Sequence, residues 1–163
     1  VHYLYWPDLV RLSVQVTVPA IVRRAIDNLL VNRVEKLSLG EKISSARRCS
    51  QALIKALLFE PDPRIFEALL VNQRLREEEL VFFAGSPQAT AEKLTLLASD
   101  RKWSSRYAIR KALVLNPLTP RSLAACQLRF LSKRDLRQIH QNPVTSVYLR
   151  RCIERISPPA ISE

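Results

Sequence analysis

Apolar residues recur at three- and four-residue steps along most of this chain, the spacing that puts one face of an α-helix against a core. Pro19 stands where a helix begins, and Ile21, Ile26, Leu29, Leu30 and Val34 give that helix an apolar side over Ala20 to about Leu37. A second long helix is predicted from Glu41 to about Phe59, on Ile43, Ala46, Cys49, Leu53, Ile54, Leu57 and Leu58. Further on, Asp100 is placed to cap a helix over Lys102–Leu115 with Tyr107, Ala108, Ala112 and Leu115 on one side. The last helix, Thr145 to Ile156, carries Leu149, Cys152, Ile153 and Ile156 inward and Arg150, Arg151 and Arg155 outward. Only the opening is ambiguous: Leu9, Val10 and Leu12 read as helix after Pro7-Asp8, while Val14, Val16 and Val18 alternate as a strand would. Tyr3, Tyr5 and Trp6 are expected to cover the end of the core.

The prolines punctuate this pattern. Pro61, Pro87, Pro117 and Pro143 are separated by 26, 30 and 26 residues. The segment from Pro61 to Pro87 can be laid on that from Pro117 to Pro143 without a gap, at an offset of 56. Leu75 then falls on Leu131, Glu79 on Asp135, Leu80 on Leu136 and Phe83 on Ile139. A period in this range belongs to stacked supersecondary units. Helix-start chemistry accompanies it: Asp62-Pro63, Thr119-Pro120 and Ser86-Pro87 pair an N-cap residue with proline at the first helical position. Ser132 with Asp135 forms a capping-box start, and Glu77, Glu78 and Glu79 sit in a first turn, where the helix dipole favours acids.

Composition narrows the class. The 163 residues include ten prolines but only Gly40 and Gly85, too little glycine for hairpin-rich or phosphate-loop folds. A hydrophobic share of 47% suits a packed domain, and no apolar run approaches the roughly 20 residues of a membrane span. The opening VHYLYWPDL lacks the basic-then-apolar order of a secretory leader and has no initiator Met. Cys49, Cys126 and Cys152 are odd in number and far apart, so they are expected as reduced core thiols of a cytoplasmic protein.

The fold class expected is therefore all-α, a single α-helical domain over 1–163. Residues 1–59 would form an N-terminal cap and long helix pair, 60–157 repeat-like helices, and 158–163 a frayed tail. Asn116-Pro117-Leu118-Thr119-Pro120, the helices that follow and Asn142-Pro143-Val144-Thr145 resemble the leucine-rich repeat variant and neighbouring HEAT-like helical repeats. That resemblance covers Ala112–Ile156 well and Leu57–Ala98 in part. It implies helices stacked in a right-handed superhelix, either a curved solenoid or a compact repeat bundle, and no enzymatic activity.

Charge supplies the functional reading. Of the net +11, residues 101–163 hold thirteen Lys and Arg against Asp135, Glu154 and Glu163, which leaves +10 there and +1 for residues 1–100. A basic face is expected from Arg106, Arg110, Lys111, Lys133, Arg134, Arg137, Arg150, Arg151 and Arg155. The dibasic steps Arg23-Arg24, Arg47-Arg48, Arg110-Lys111 and Arg150-Arg151 are each predicted inside a helix, where stacking would line them up. Arginine's planar fork fits carboxylate and phosphate alike, so the partner is an acidic protein or, alternatively, a nucleic-acid backbone. A glycosylase built on similar helices would need a catalytic acid, for which Asp135 and Glu154 are the internal candidates in the basic half. No nucleotide-binding glycine pattern, metalloprotease motif or clustered metal ligands occur. A non-enzymatic module without cofactor, metal, membrane or small-molecule ligand is the expectation.

Overall fold

The computed structural model describes residues 5–157, so Tyr3 of the aromatic cluster and the Pro158-Pro159 helix stop lie outside the described residues. Among these residues there are eleven α-helices, one 3-10 turn and no strand. The ambiguous opening is helical: α1 is Trp6–Val14, begun by Pro7 at its first turn. It is followed by α2 (Ala20–Arg33), which runs into a 3-10 turn at Val34–Lys36, then α3 (Leu39–Ala46), α4 (Gln51–Leu58) and α5 (Pro63–Leu70). The remainder is α6 (Glu77–Gly85), α7 (Ala91–Ser99), α8 (Tyr107–Leu115), α9 (Arg121–Leu128), α10 (Lys133–Gln141) and α11 (Val147–Ile156).

The chain groups into two compact units, 1–79 and 80–163, with the boundary inside α6. In the first unit, α1 packs on α2, α2 on α4, and α5 on both α3 and α4. Leu30, Leu53, Ile54, Leu57, Phe66 and Leu69 are fully buried there. Trp6 reaches this unit's interior through its indole N–H, which donates to Ser45 Oγ at 2.6 Å, while Tyr5 points to solvent. In the second unit, α9 packs on α8 and α11, and α10 packs on α11. Val114, Leu128, Leu136, Ile139, Leu149 and Ile153 share one core. Burying each such side chain contributes about 1.5–3 kcal/mol.

The helix expected over Glu41–Phe59 is two helices. The break falls at 47–50, and Arg47-Arg48 lies in it rather than on a helix face. Both α3 and α4 turn apolar residues to the same core, so the periodicity runs through the interruption. Asn72, fully buried, takes up the carbonyls freed there: its Nδ2 donates to Ala46 O at 2.7 Å and Cys49 O at 3.4 Å. The helix expected from Lys102 likewise begins only at Tyr107. Asp100 caps a turn instead, accepting from the N–H groups of Lys102 and Trp103 at 2.9 and 3.0 Å. The phase of α8 is also corrected. Ile109, Leu113 and Val114 face inward, whereas Tyr107 and Leu115 are 45% and 43% exposed, because the aliphatic stripe outweighs the aromatic one.

The 56-residue register recurs in the helix boundaries. Helices α6 and α10 begin at Glu77 and Lys133, and α7 and α11 begin at Ala91 and Val147. Leu75, Leu80 and Phe83 are buried, as are their counterparts Leu131, Leu136 and Ile139. The caps match too: Thr90 accepts from Lys93 N–H and Ser146 from Leu149 N–H. Between these pairs, α8 and α9 start 26 residues before α10 and α11. The wider 30-residue interval that precedes them is taken up by the 100–106 loop around buried Trp103. Two predicted caps shift. Pro120, not Thr119, holds the N-cap of α9, and Ser86 closes a turn by accepting from Gln88 N–H while Thr90 starts α7. Asp62 caps α5 as expected, through Arg64 N–H.

Candidate binding surface

Local sequence decides which of the cations in the second unit are available. Tyr107 opens α8, and its hydroxyl reaches the start of α10, where it accepts from Ser132 N–H at 3.0 Å and donates to the Asp135 carboxylate. Ser132 Oγ accepts from Asp135 N–H at 3.2 Å, so half of the expected capping box is present. The other half is relayed through Tyr107, because Asp135 turns to α8 rather than back to its own N-cap. Lys111 Nζ adds an ion pair to Asp135 at 3.0 Å. Hydrogen bonds from Tyr107 and Lys111 hold the Asp135 carboxyl below the usual carboxylate range. A carboxylate kept ionised by two donors is a fastening between helices, and it lacks the raised proton affinity of a general acid.

Two other candidates are also used internally. Arg110 donates from Nε to Ser104 O at 2.6 Å, and its guanidinium lies 3.8 Å from the Phe130 ring centroid. Arg150, predicted on the outward face of α11, is half-buried. Its Nη2 donates to Asn142 O and Pro143 O, both at 3.1 Å, which closes the carbonyls at the end of α10. Arg106 is exposed at the N-cap of α8.

The remaining five candidates are exposed and make no ion pair among the described residues. Lys133, Arg134 and Arg137 lie on one stripe of α10 and line a shallow surface with Gln138 and Gln141. Arg151 and Arg155 lie one turn apart on α11. Leu136 and Ile139 of α10 share a core with Leu149 and Ile153 of α11. Each helix turns its exposed stripe away from that core. Of the nine, Lys111, Arg110 and Arg150 are thus drawn into contacts within the protein.

Arg121 at the start of α9 and Arg129 at its C-cap were not among the sequence candidates, yet both are exposed. The 26-residue register that relates α9 to α11 places Arg129 at the position of Arg155, a signal legible in the sequence. Helix α9 packs beside α11. Arg129 also stacks 4.9 Å from the Phe130 ring centroid. The acids nearby are engaged: Glu154 pairs with His140 at 2.9 Å across α10 and α11, and Asp135 is held as described.

The cysteines divide. Cys49 is fully buried, and burial pushes its thiol up to about 12, whereas Cys126 is exposed and Cys152 half-buried. Cys126 is thus not a core thiol, because α9 turns Ala124 and Leu128 inward instead. Among the described residues no group of three His, Cys, Asp or Glu side chains converges as a metal ion would need. No described helix is long and apolar enough to cross a membrane. No protein-family model, curated protein or solved structure matches the chain.

Proposed function

We propose that the chain is a non-enzymatic helical-repeat binding module, of the leucine-rich-repeat-variant or HEAT-like kind, that presents a basic face to an acidic protein segment. One observation carries this reading. Lys133, Arg134 and Arg137 are gathered on one stripe of α10, exposed and without an ion pair among the described residues, while Asp135 and Glu154, the acids of residues 101–157, are engaged with Lys111 and His140. Long cationic side chains in water gain little from intramolecular pairing. Three of them over two consecutive turns offer a short anionic segment several contacts at once. Support for the repeat itself lies in the helix boundaries and buried positions that recur at an offset of 56.

The nucleic-acid reading keeps one favourable observation, the net +10 of residues 101–163. A phosphate backbone is best followed by a continuous track of cations. The engagement of Lys111, Arg110 and Arg150 within the protein interrupts the run of cations and favours shorter, discrete contacts instead. Titration of the purified protein with a labelled Glu-rich peptide, a duplex and a single strand over a salt series tests the choice. The proposal predicts saturable peptide binding and weaker nucleic-acid binding. Duplex or single-strand binding that falls linearly in log–log form with salt, together with no peptide binding, would replace it with the nucleic-acid reading.

A further inference from the structure

The first unit holds a second cationic feature, unlike the stripes of α10 and α11 because it is concave. Arg23 and Arg24 of α2 and Arg74 of the α5–α6 loop converge on an open cleft of about 310 Å³. Its other walls include Ala20, Asp27 and Ser50. The cleft far exceeds the roughly 30 Å³ that one water occupies in the liquid.

The three guanidinium groups are held there without an acid of their own. Arg74 is positioned by Asn72, whose Oδ1 accepts from Arg74 N–H at 2.8 Å, and by a long contact from Nη2 to Val14 O at 3.5 Å. Arg23 Nε is shut off from solvent and has no acceptor among the described residues. Arg24 makes no hydrogen bond or ion pair. Asp27, the acid in the wall, accepts from Ser50 Oγ at 2.6 Å and forms no ion pair with any of the three. The fixed charge of the cleft is thus three cations against one anion, a balance of +2. Helix α2 adds to it: the helix starts at Ala20 behind Pro19, with no side-chain cap and no acid in its first turn. Ala20, the first residue of α2, lines the cleft, so the positive dipole end of the helix adjoins it.

We propose that this cleft binds a phosphoryl dianion. Guanidinium forks pair bidentately with oxyanions, a tetrahedral group offers oxygens to three arginines at once, and its charge near neutral pH matches the +2 of the site. An isolated carboxylate would use two oxygens and leave a cation unmatched. The site is independent of the α10 stripe.

Calorimetric titration of the whole chain tests this, with inorganic phosphate, O-phosphoserine and acetate as probes at low ionic strength and pH 7.5. Phosphate should bind saturably with one site per chain, and acetate at least about tenfold more weakly, as expected when the charge and one bidentate contact are lost. Arg23→Gln and Arg74→Gln should each weaken phosphate at least about tenfold, and Arg101→Gln, at an exposed position outside both surfaces, should leave it unchanged. Arg24→Gln, at an exposed position, serves if either of the first two fails to fold. Tighter binding of O-phosphoserine than of phosphate would assign the source to a phosphorylated side chain, and the reverse to a free phosphate. Unsaturable phosphate binding, or equal affinity in wild type and all three cleft variants, would overturn the site.

Discussion

Asn116→Ala is the most informative single substitution, because the structure assigns the side chain three separate bonds. Asn116 follows α8 and is 6% exposed. Its Nδ2 donates to Ala84 O at 2.6 Å and Ser86 O at 3.1 Å, and its Oδ1 accepts from Leu118 N–H at 2.9 Å. The first two close the C-terminal end of α6, and the third shapes the turn into α9. Each neutral hydrogen bond contributes about 0.5–1.5 kcal/mol net, and a buried backbone group left without a partner costs about 1–3 kcal/mol. Alanine should therefore lower stability by about 2–4 kcal/mol. Asn142 occupies the matching place after α10 but keeps only the turn bond, Oδ1 to Val144 N–H at 3.0 Å. Asn142→Ala should then cost about 0.5–1 kcal/mol. Asn116→Asp separates the two roles, since it keeps the acceptor but sets an oxygen against Ala84 O, and should be no milder than alanine. Urea unfolding, with the m-value checked for constancy, measures all three. Equal losses for Asn116→Ala and Asn142→Ala would show that the bonds to α6 contribute nothing and refute the reasoning.

Other expectations follow from the same contacts. Leu136→Ala should destabilise by about 2–5 kcal/mol in urea, because Leu136 is 3% exposed in the core of the second unit. Arg150→Ala should lower the unfolding midpoint by uncovering the carbonyls of Asn142 and Pro143, whereas Arg151→Glu should leave it unchanged. Asp135 has a lowered pKa, so its contribution is present above the unfolded carboxyl's range and fades as pH falls through it. Tyr107→Phe should flatten that acid limb of the stability profile in pH-dependent unfolding. Under native conditions a thiol reagent should modify Cys126 rapidly and Cys49 only on unfolding. Because the Cys49 thiol is raised to about 12, its effect on stability appears above the ordinary thiol range near 9, as a loss with rising pH.

The all-helical class was legible because proline punctuation, sparse glycine and three- and four-residue apolar steps agree. Helices α6, α7, α10 and α11 start at the 56-residue offset, and the leucines it aligns are buried in both segments. Two breaks were hidden for a common reason. At 47–50 and at 100–106 the freed backbone groups are satisfied by side chains, Asn72 from 23 and more residues away and Asp100 from its own loop. Apolar periodicity does not register such partners. The phase of α8 went wrong because Tyr107 was counted as apolar, when its hydroxyl serves Ser132 and Asp135. The basic face was legible only as charge. Which cations stay free depends on tertiary partners: Lys111 goes to Asp135, Arg110 to Ser104 and Arg150 to a helix end, while Lys133, Arg134 and Arg137 keep their charge exposed.

The claim that the α10 stripe is the binding surface is tested most directly by charge reversal in peptide titration. The triple variant Lys133→Glu, Arg134→Glu, Arg137→Glu should abolish binding of a Glu-rich peptide while unfolding as wild type, and Arg151→Glu with Arg155→Glu should reduce it only slightly. Undiminished binding by the triple variant, or equal loss in both variants, would contradict the account and leave the positive charge acting only as a diffuse field.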